Sequence, residues 1–113
     1  MTISEKKVFL HLKRVDFRKS INGLSAIVQQ AMNKDVFSGN YYVFCNKRKD
    51  TIKIIYYDSN GFCLWQKRLE DDKFLWPKNS DDAREINSEE LRWLLTGLDF
   101  TKAHKSKTYL IAS

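Results

Sequence analysis

Residues Phe37–Pro77 read FSGNYYVFCNKRKDTIKIIYYDSNGFCLWQKRLEDDKFLWP. Apolar and aromatic runs alternate here with short polar breaks, the pattern of strands joined by tight turns. Ser38-Gly39-Asn40 is a turn, and Tyr41–Cys45 is a strand. A five-residue loop, Asn46–Asp50, leads into a strand over Ile52–Tyr57. Asp58-Ser59-Asn60-Gly61 is a strong hairpin signal, because Asn and Gly tolerate the positive φ such turns need. A strand over Phe62–Leu69, a polar turn at Glu70–Lys73 and a short strand over Phe74–Trp76 complete the run, which Pro77 ends. Strands joined this tightly pair antiparallel, so the stretch predicts a β-meander.

Upstream, Val8–Leu12 reads as a first strand. The spacing of Ile21, Leu24, Ile27, Val28 and Ala31 predicts a helix over Arg18–Met32 with one buried stripe. Asp16 is its expected N-cap, and Gly23 is expected to mark close packing against the sheet. Downstream, Asn79–Ile86 reads as a polar loop. Asn87 and Glu90 form a capping box before a stripe of Leu91, Leu94, Leu95 and Leu98, and Gly97 suits a left-handed helix terminus. The order β-α-β-β-β-(β)-α predicts an α+β fold: one antiparallel meander sheet with both helices on one face. Residues 1–100 form the expected single domain, and residues 101–113 are a tail whose structure the pattern does not place.

The chain has 113 residues, 42% of them hydrophobic, with 4 Gly and 1 Pro, enough apolar material for one packed core. No apolar run reaches the ~18 residues of a membrane-spanning helix, and the first residues carry too short an apolar stretch for a signal peptide. These features predict a cytoplasmic protein without membrane contact. Cys45 and Cys63 lie inside apolar runs and read as buried thiols, with neither His11 nor His104 nearby in sequence to share a metal. No metal or cofactor is expected. The net charge of +6 is lopsided: residues 1–50 hold ten Lys/Arg against four Asp/Glu, and residues 51–113 hold ten against ten. Such asymmetry favours a polyanionic partner.

Arg18 and Lys19 follow the expected N-cap, where cations oppose the helix dipole unless they help build an anion pocket. The competing reading is that Arg18 pairs with Asp16 and braces the fold. Lys47-Arg48-Lys49 at a hairpin tip suits DNA phosphates, or else a solvated loop. Lys53, Lys67 and Arg68 accompany Tyr57 and Trp65 in strands, a mixture that stacks single-stranded bases if exposed and packs the core if not. The expected DNA-backbone contacts are Arg18, Lys19, Lys47, Arg48, Lys49 and Lys53. Tyr42, Tyr57, Trp65, Trp76 and Trp93 are candidate anchors for a protein partner. Asp16, Asp58, Glu70 and Asp99 are the carboxylates a Mg²⁺-dependent nuclease would need, but Asp16 and Asp58 are better explained as cap and turn residues. The sequence contains no Ser/His/Asp or Cys/His pairing and no phosphate-binding glycine loop, so no enzyme is expected.

Several motifs together resemble a known family. They are Asp16-Phe17-Arg18-Lys19 followed by Gly23-Leu24; Phe37-Ser38-Gly39; Val43-Phe44; and Asn46-Lys47-Arg48-Lys49-Asp50. They continue through Ile52-Lys53-Ile54, Tyr56-Tyr57-Asp58, Gly61–Trp65, Lys67–Glu70, Trp76-Pro77, Leu94-Leu95 and Gly97-Leu98-Asp99. In order and spacing they are similar to the small TnpB accessory proteins of the insertion-sequence-66 group of bacterial transposons, which are not the RNA-guided nuclease that shares the name. Val36 departs from the Pro common before Phe-Ser-Gly, Asn46 from a common Arg, and Tyr56-Tyr57 from a usual Trp pair. The resemblance implies a role in transposition beside a separate DDE transposase, and it supplies no catalytic residue. The expectation is a non-catalytic, DNA-binding accessory protein. The alternative is a module that docks on the element's transposase, and a metal-dependent nuclease is the remote one.

Overall fold

β1 (Val8–His11) leads through α1 (Ile21–Gln30) to β2 (Tyr41–Cys45) in a computed structural model that describes residues 6–78 and 83–97. β3 (Thr51–Asp58) and β4 (Gly61–Arg68) follow as a hairpin, then β5 (Ala83–Ile86) and α2 (Ser88–Leu95). The five strands form one sheet in the order β4-β3-β2-β1-β5. β2, β3 and β4 are the expected antiparallel meander. β1 instead pairs with β2 in parallel, with Val8 opposite Tyr41 and Leu10 opposite Val43. The sheet is therefore mixed. The long connection through α1 is what permits it, since parallel neighbours need a crossover of a dozen residues or more.

The helices cover opposite faces, which corrects the one-face expectation. Leu24 and Val28 of α1 pack with Phe9, Tyr42, Phe44 and Ile55. Leu91 and Leu94 of α2 pack with Val8, Leu10, Tyr41, Val43, Cys45, Ile52 and Ile54. The physical reason lies in β2, whose five residues Tyr-Tyr-Val-Phe-Cys are all buried. Successive side chains point to opposite faces, so a strand without polar alternates requires cover on both sides.

Other boundaries also shift. Asp16 does not cap α1. The N-cap is Ser20, whose side chain makes no capping bond, while Asp16 Oδ1 accepts from the Arg18 backbone N–H at 3.0 Å in a turn before the helix. Arg18 and Lys19 therefore precede the helix. A Cβ built on Gly23 meets Lys19 Cβ at 3.1 Å, so that glycine accommodates the incoming chain rather than the sheet. In the β3–β4 turn the positive φ falls on Ser59 (52°). Phe74–Trp76 forms no strand, although Phe74 and Trp76 are buried. Part of the expected polar loop is β5, which pairs antiparallel with β1 and buries Ile86. A short, charged strand is the usual form of a protected sheet edge. The capping box holds as expected: Asn87 Oδ1 accepts from Glu90 N–H at 2.7 Å, and Glu90 Oε1 accepts from Asn87 N–H at 3.1 Å. Gly97 has φ 85°, a left-handed terminus. Leu98, Asp99 and the tail 101–113 lie outside the described residues.

Candidate nucleic-acid interface

Because β1 and β2 run in parallel, their carboxyl ends emerge at the same end of the sheet. The chain beyond β1, Leu12-Lys13-Arg14, therefore lies beside the loop that follows β2. The Val15 N–H donates to the Cys45 carbonyl at 2.9 Å and clasps the two segments together.

The β2–β3 loop is built by Asn46. Its Oδ1 accepts from the backbone N–H groups of Asp50 and Thr51, each at 3.1 Å, and its Nδ2 donates to Asp50 Oδ1 at 2.6 Å. The bonds from Asn46 Nδ2 and Thr51 Oγ1 hold the Asp50 carboxyl below its ordinary range. Lys49 completes the loop in the left-handed region, with φ 63°. Residues 73–78 then cross this end of the sheet as a strap. Lys73 Nζ donates to the Arg48 carbonyl at 3.0 Å, and Phe74 N–H donates to the Lys49 carbonyl at 2.7 Å. The buried Trp76 indole donates to the Leu12 carbonyl at 3.1 Å.

Between these three segments lies an open cleft of about 520 Å³. Lys13, Arg14, Lys47, Lys49 and Lys78 supply five cations to its lining, with Leu12, Trp76 and Pro77, and among the described residues none that lines it is acidic. Arg14 Nη1 reaches the Lys47 carbonyl at 3.4 Å across it. Five like charges around one concavity raise the local potential and attract anions. The adjoining Cys45 thiol is pushed up to about 12 by burial, against the pull of Lys49 and Arg14, and stays neutral.

Of the six cations expected to touch DNA, the structure brings Lys47 and Lys49 into this cleft. Arg48 is exposed at the same hairpin tip but does not line it. Arg18 forms an ion pair with Asp16 at 2.6 Å, and that hydrogen bond holds the Asp16 carboxyl down at about 2. Lys19 is exposed before α1. Lys53 donates to the Phe17 carbonyl at 3.3 Å and sits 4.9 Å from the Phe17 ring centroid, bracing the segment before α1. Sequence reasoning missed Lys13, Arg14 and Lys78. Their signal was local, a Lys-Arg pair leaving β1 and a Lys after Trp-Pro, but only the tertiary pairing joins them.

The remaining candidates occupy varied places. Tyr42 and Trp76 are buried, and Tyr57, Trp65 and Trp93 are half-buried. Among the described residues the exposed large apolar side chains are Phe37 (56%), Leu75 and Leu64. Phe37 meets the rings of Tyr57 and Phe62 with centroids 5.2 and 5.4 Å away. Its 3-10 turn, Val36–Ser38, is held by Asp35 Oδ1 accepting from Phe37 N–H at 2.9 Å and by Gly39 at φ 85°. Among the carboxylates, Glu70 pairs with Arg68 at 3.4 Å, Asp58 ends β3 at the hairpin turn, and Asp99 lies outside the described residues. Among the described residues no three His, Cys, Asp or Glu gather where they could hold a metal, and no helix is long and apolar enough to cross a membrane.

A family model described as IS66 Orf2-like protein matches residues 6–105. The uncharacterized protein y4jC of Sinorhizobium fredii (strain NBRC 101917 / NGR234) is 37% identical over 99 residues, covering 88% of this chain and 85% of that protein. A second uncharacterized protein of the same strain, y4hO, is 30% identical over 103 residues, covering 91% and 88%. No solved structure matches.

Proposed function

The chain belongs to the IS66 Orf2-like family, whose role is accessory to transposition, and from that premise we propose that it serves as a non-catalytic DNA-binding protein. The observation that supports this reading is the cleft at the sheet's end, with five cations and, among the described residues, no acid in its lining. Lys and Arg around a concavity neutralise phosphates and release counterions, which supplies affinity without sequence information. Two of the carboxylates a nuclease would need have other tasks: Asp16 holds Arg18, and Glu70 pairs with Arg68. A salt titration with DNA from the transposon ends tests the reading. Affinity should fall steeply between about 50 and 200 mM salt. Absence of binding at the lower salt would remove it.

A second role is compatible and rests on Phe37. A large aromatic side chain that is 56% exposed on a turn held by capping bonds has the character of an anchor for a protein partner. The element's purified transposase is the partner to try. Retention by the wild-type chain and loss with Phe37→Ala would support docking, and equal retention of both would count against it.

A further inference from the structure

We propose that the cleft between Leu12–Arg14, the β2–β3 loop and the strap takes the sugar–phosphate backbone of a single DNA strand, not the outside of a duplex; this rests on the DNA-binding reading above and narrows it. A protein reads duplex DNA by pushing a helix, ribbon or arm into a groove. None of the cleft's lining residues belongs to a helix, because α1 and α2 lie on the two sheet faces while the cleft opens at the sheet's end. The β2–β3 hairpin is not a free ribbon either. Its tip is held by Lys73 Nζ on the Arg48 carbonyl at 3.0 Å and Phe74 N–H on the Lys49 carbonyl at 2.7 Å.

The cations instead line a concavity of about 520 Å³, a volume typical of sites for small ligands and far too small for a double helix. Its lining also includes Leu12, Trp76 and Pro77. A duplex hides its base faces in the stack, whereas a single strand exposes them beside its sugars and phosphates. A positively charged groove that follows one backbone is the usual solution for single-strand binding. Leu12 and Trp76 are both buried, so of the apolar lining the half-buried Pro77 is what a strand's sugars and bases can reach, and phosphate neutralisation supplies the rest of the contact. Five cations bound the salt dependence: for a single strand the slope of log K against log salt should be no steeper than about −3.5.

Fluorescence anisotropy of a labelled strand of about 16 nucleotides without self-complementarity, alone and annealed, decides the matter. At about 50 mM salt the strand alone should bind at least ~10-fold more tightly than the duplex. Arg14→Gln with Lys47→Gln should weaken strand binding at least ~5-fold, while Lys34→Gln, beyond α1, leaves it unchanged. Both cleft residues are exposed, and an unchanged thermal midpoint will show that the double variant is folded. Lys78→Gln, on the strap, is the second variant should the double one unfold. Duplex binding equal to or tighter than strand binding overturns this inference and leaves the DNA-binding reading standing. Strand binding that ignores folded cleft variants also overturns it. No binding of either form removes the DNA-binding reading itself, and this inference with it.

Discussion

Asn46 is the residue on which the β2–β3 loop closes. Its side-chain amide joins Asp50 by two bonds and Thr51 by one. Asn46→Ala should destabilise the chain by about 1–3 kcal/mol, read from chemical denaturation, because two backbone N–H groups lose their acceptor. Asp16 gives a pH signature. Its carboxyl titrates at about 2 in the folded chain, below the ordinary 3.8, because Arg18 donates to it. A depressed carboxyl pKa contributes stability above the unfolded value, and that contribution disappears as pH falls from about 4 towards 2. An NMR titration should place the Asp16 midpoint near 2 and move it up towards 3.8 in Arg18→Ala. Cys45 behaves in the opposite direction. Burial keeps its thiol protonated, so an aromatic disulfide reagent at neutral pH should leave Cys45 unmodified until the chain unfolds.

At the level of elements, the strongest local signals were reliable. The two hairpin strands, the capping box and the left-handed Gly97 follow from short-range chemistry: turn residues, a reciprocal cap, a missing Cβ. Asn87→Ala should cost α2 about 1 kcal/mol in thermal or denaturant unfolding. The errors fell where a local pattern competed with a distant partner. Phe74–Trp76 is aromatic enough for a strand, but its indole is drawn to the Leu12 carbonyl, 64 residues away in sequence, and the segment becomes a strap. Ala83–Ile86 is polar enough for a loop, but β1 offers an open edge and recruits it. The continuous apolar run in β2 did carry the information that both faces need cover, through the absence of any polar alternate. Gly39→Ala should destabilise the Phe37 turn by about 1–2 kcal/mol, since an L side chain is strained at φ 85°.

For the whole molecule, the parallel pairing of β1 with β2 is the decisive fact. Two adjacent parallel strands place their carboxyl ends together, the location where open α/β sheets commonly bind ligands. The lopsided charge of the sequence becomes local there: Lys13, Arg14, Lys47 and Lys49 belong to the basic first half, and the strap adds Lys78. Trp76→Phe should weaken this assembly in two respects. It removes the donor to the Leu12 carbonyl and should lower stability by about 1–3 kcal/mol. It should also loosen the strap and reduce DNA affinity beyond the stability effect, as measured by anisotropy at a temperature where the variant remains folded.

The chain's motifs by themselves determined the family, the β-rich middle, the helix stripes and the excess of positive charge, because each depends on neighbours within a few residues. Only the tertiary structure decided the parallel strand pair, the opposite placement of the helices and the gathering of cations from three separate segments. Those outcomes depend on which strand edges meet after long loops close. That choice is made by burying both faces of β2 at once, a collective requirement that no local window of residues expresses.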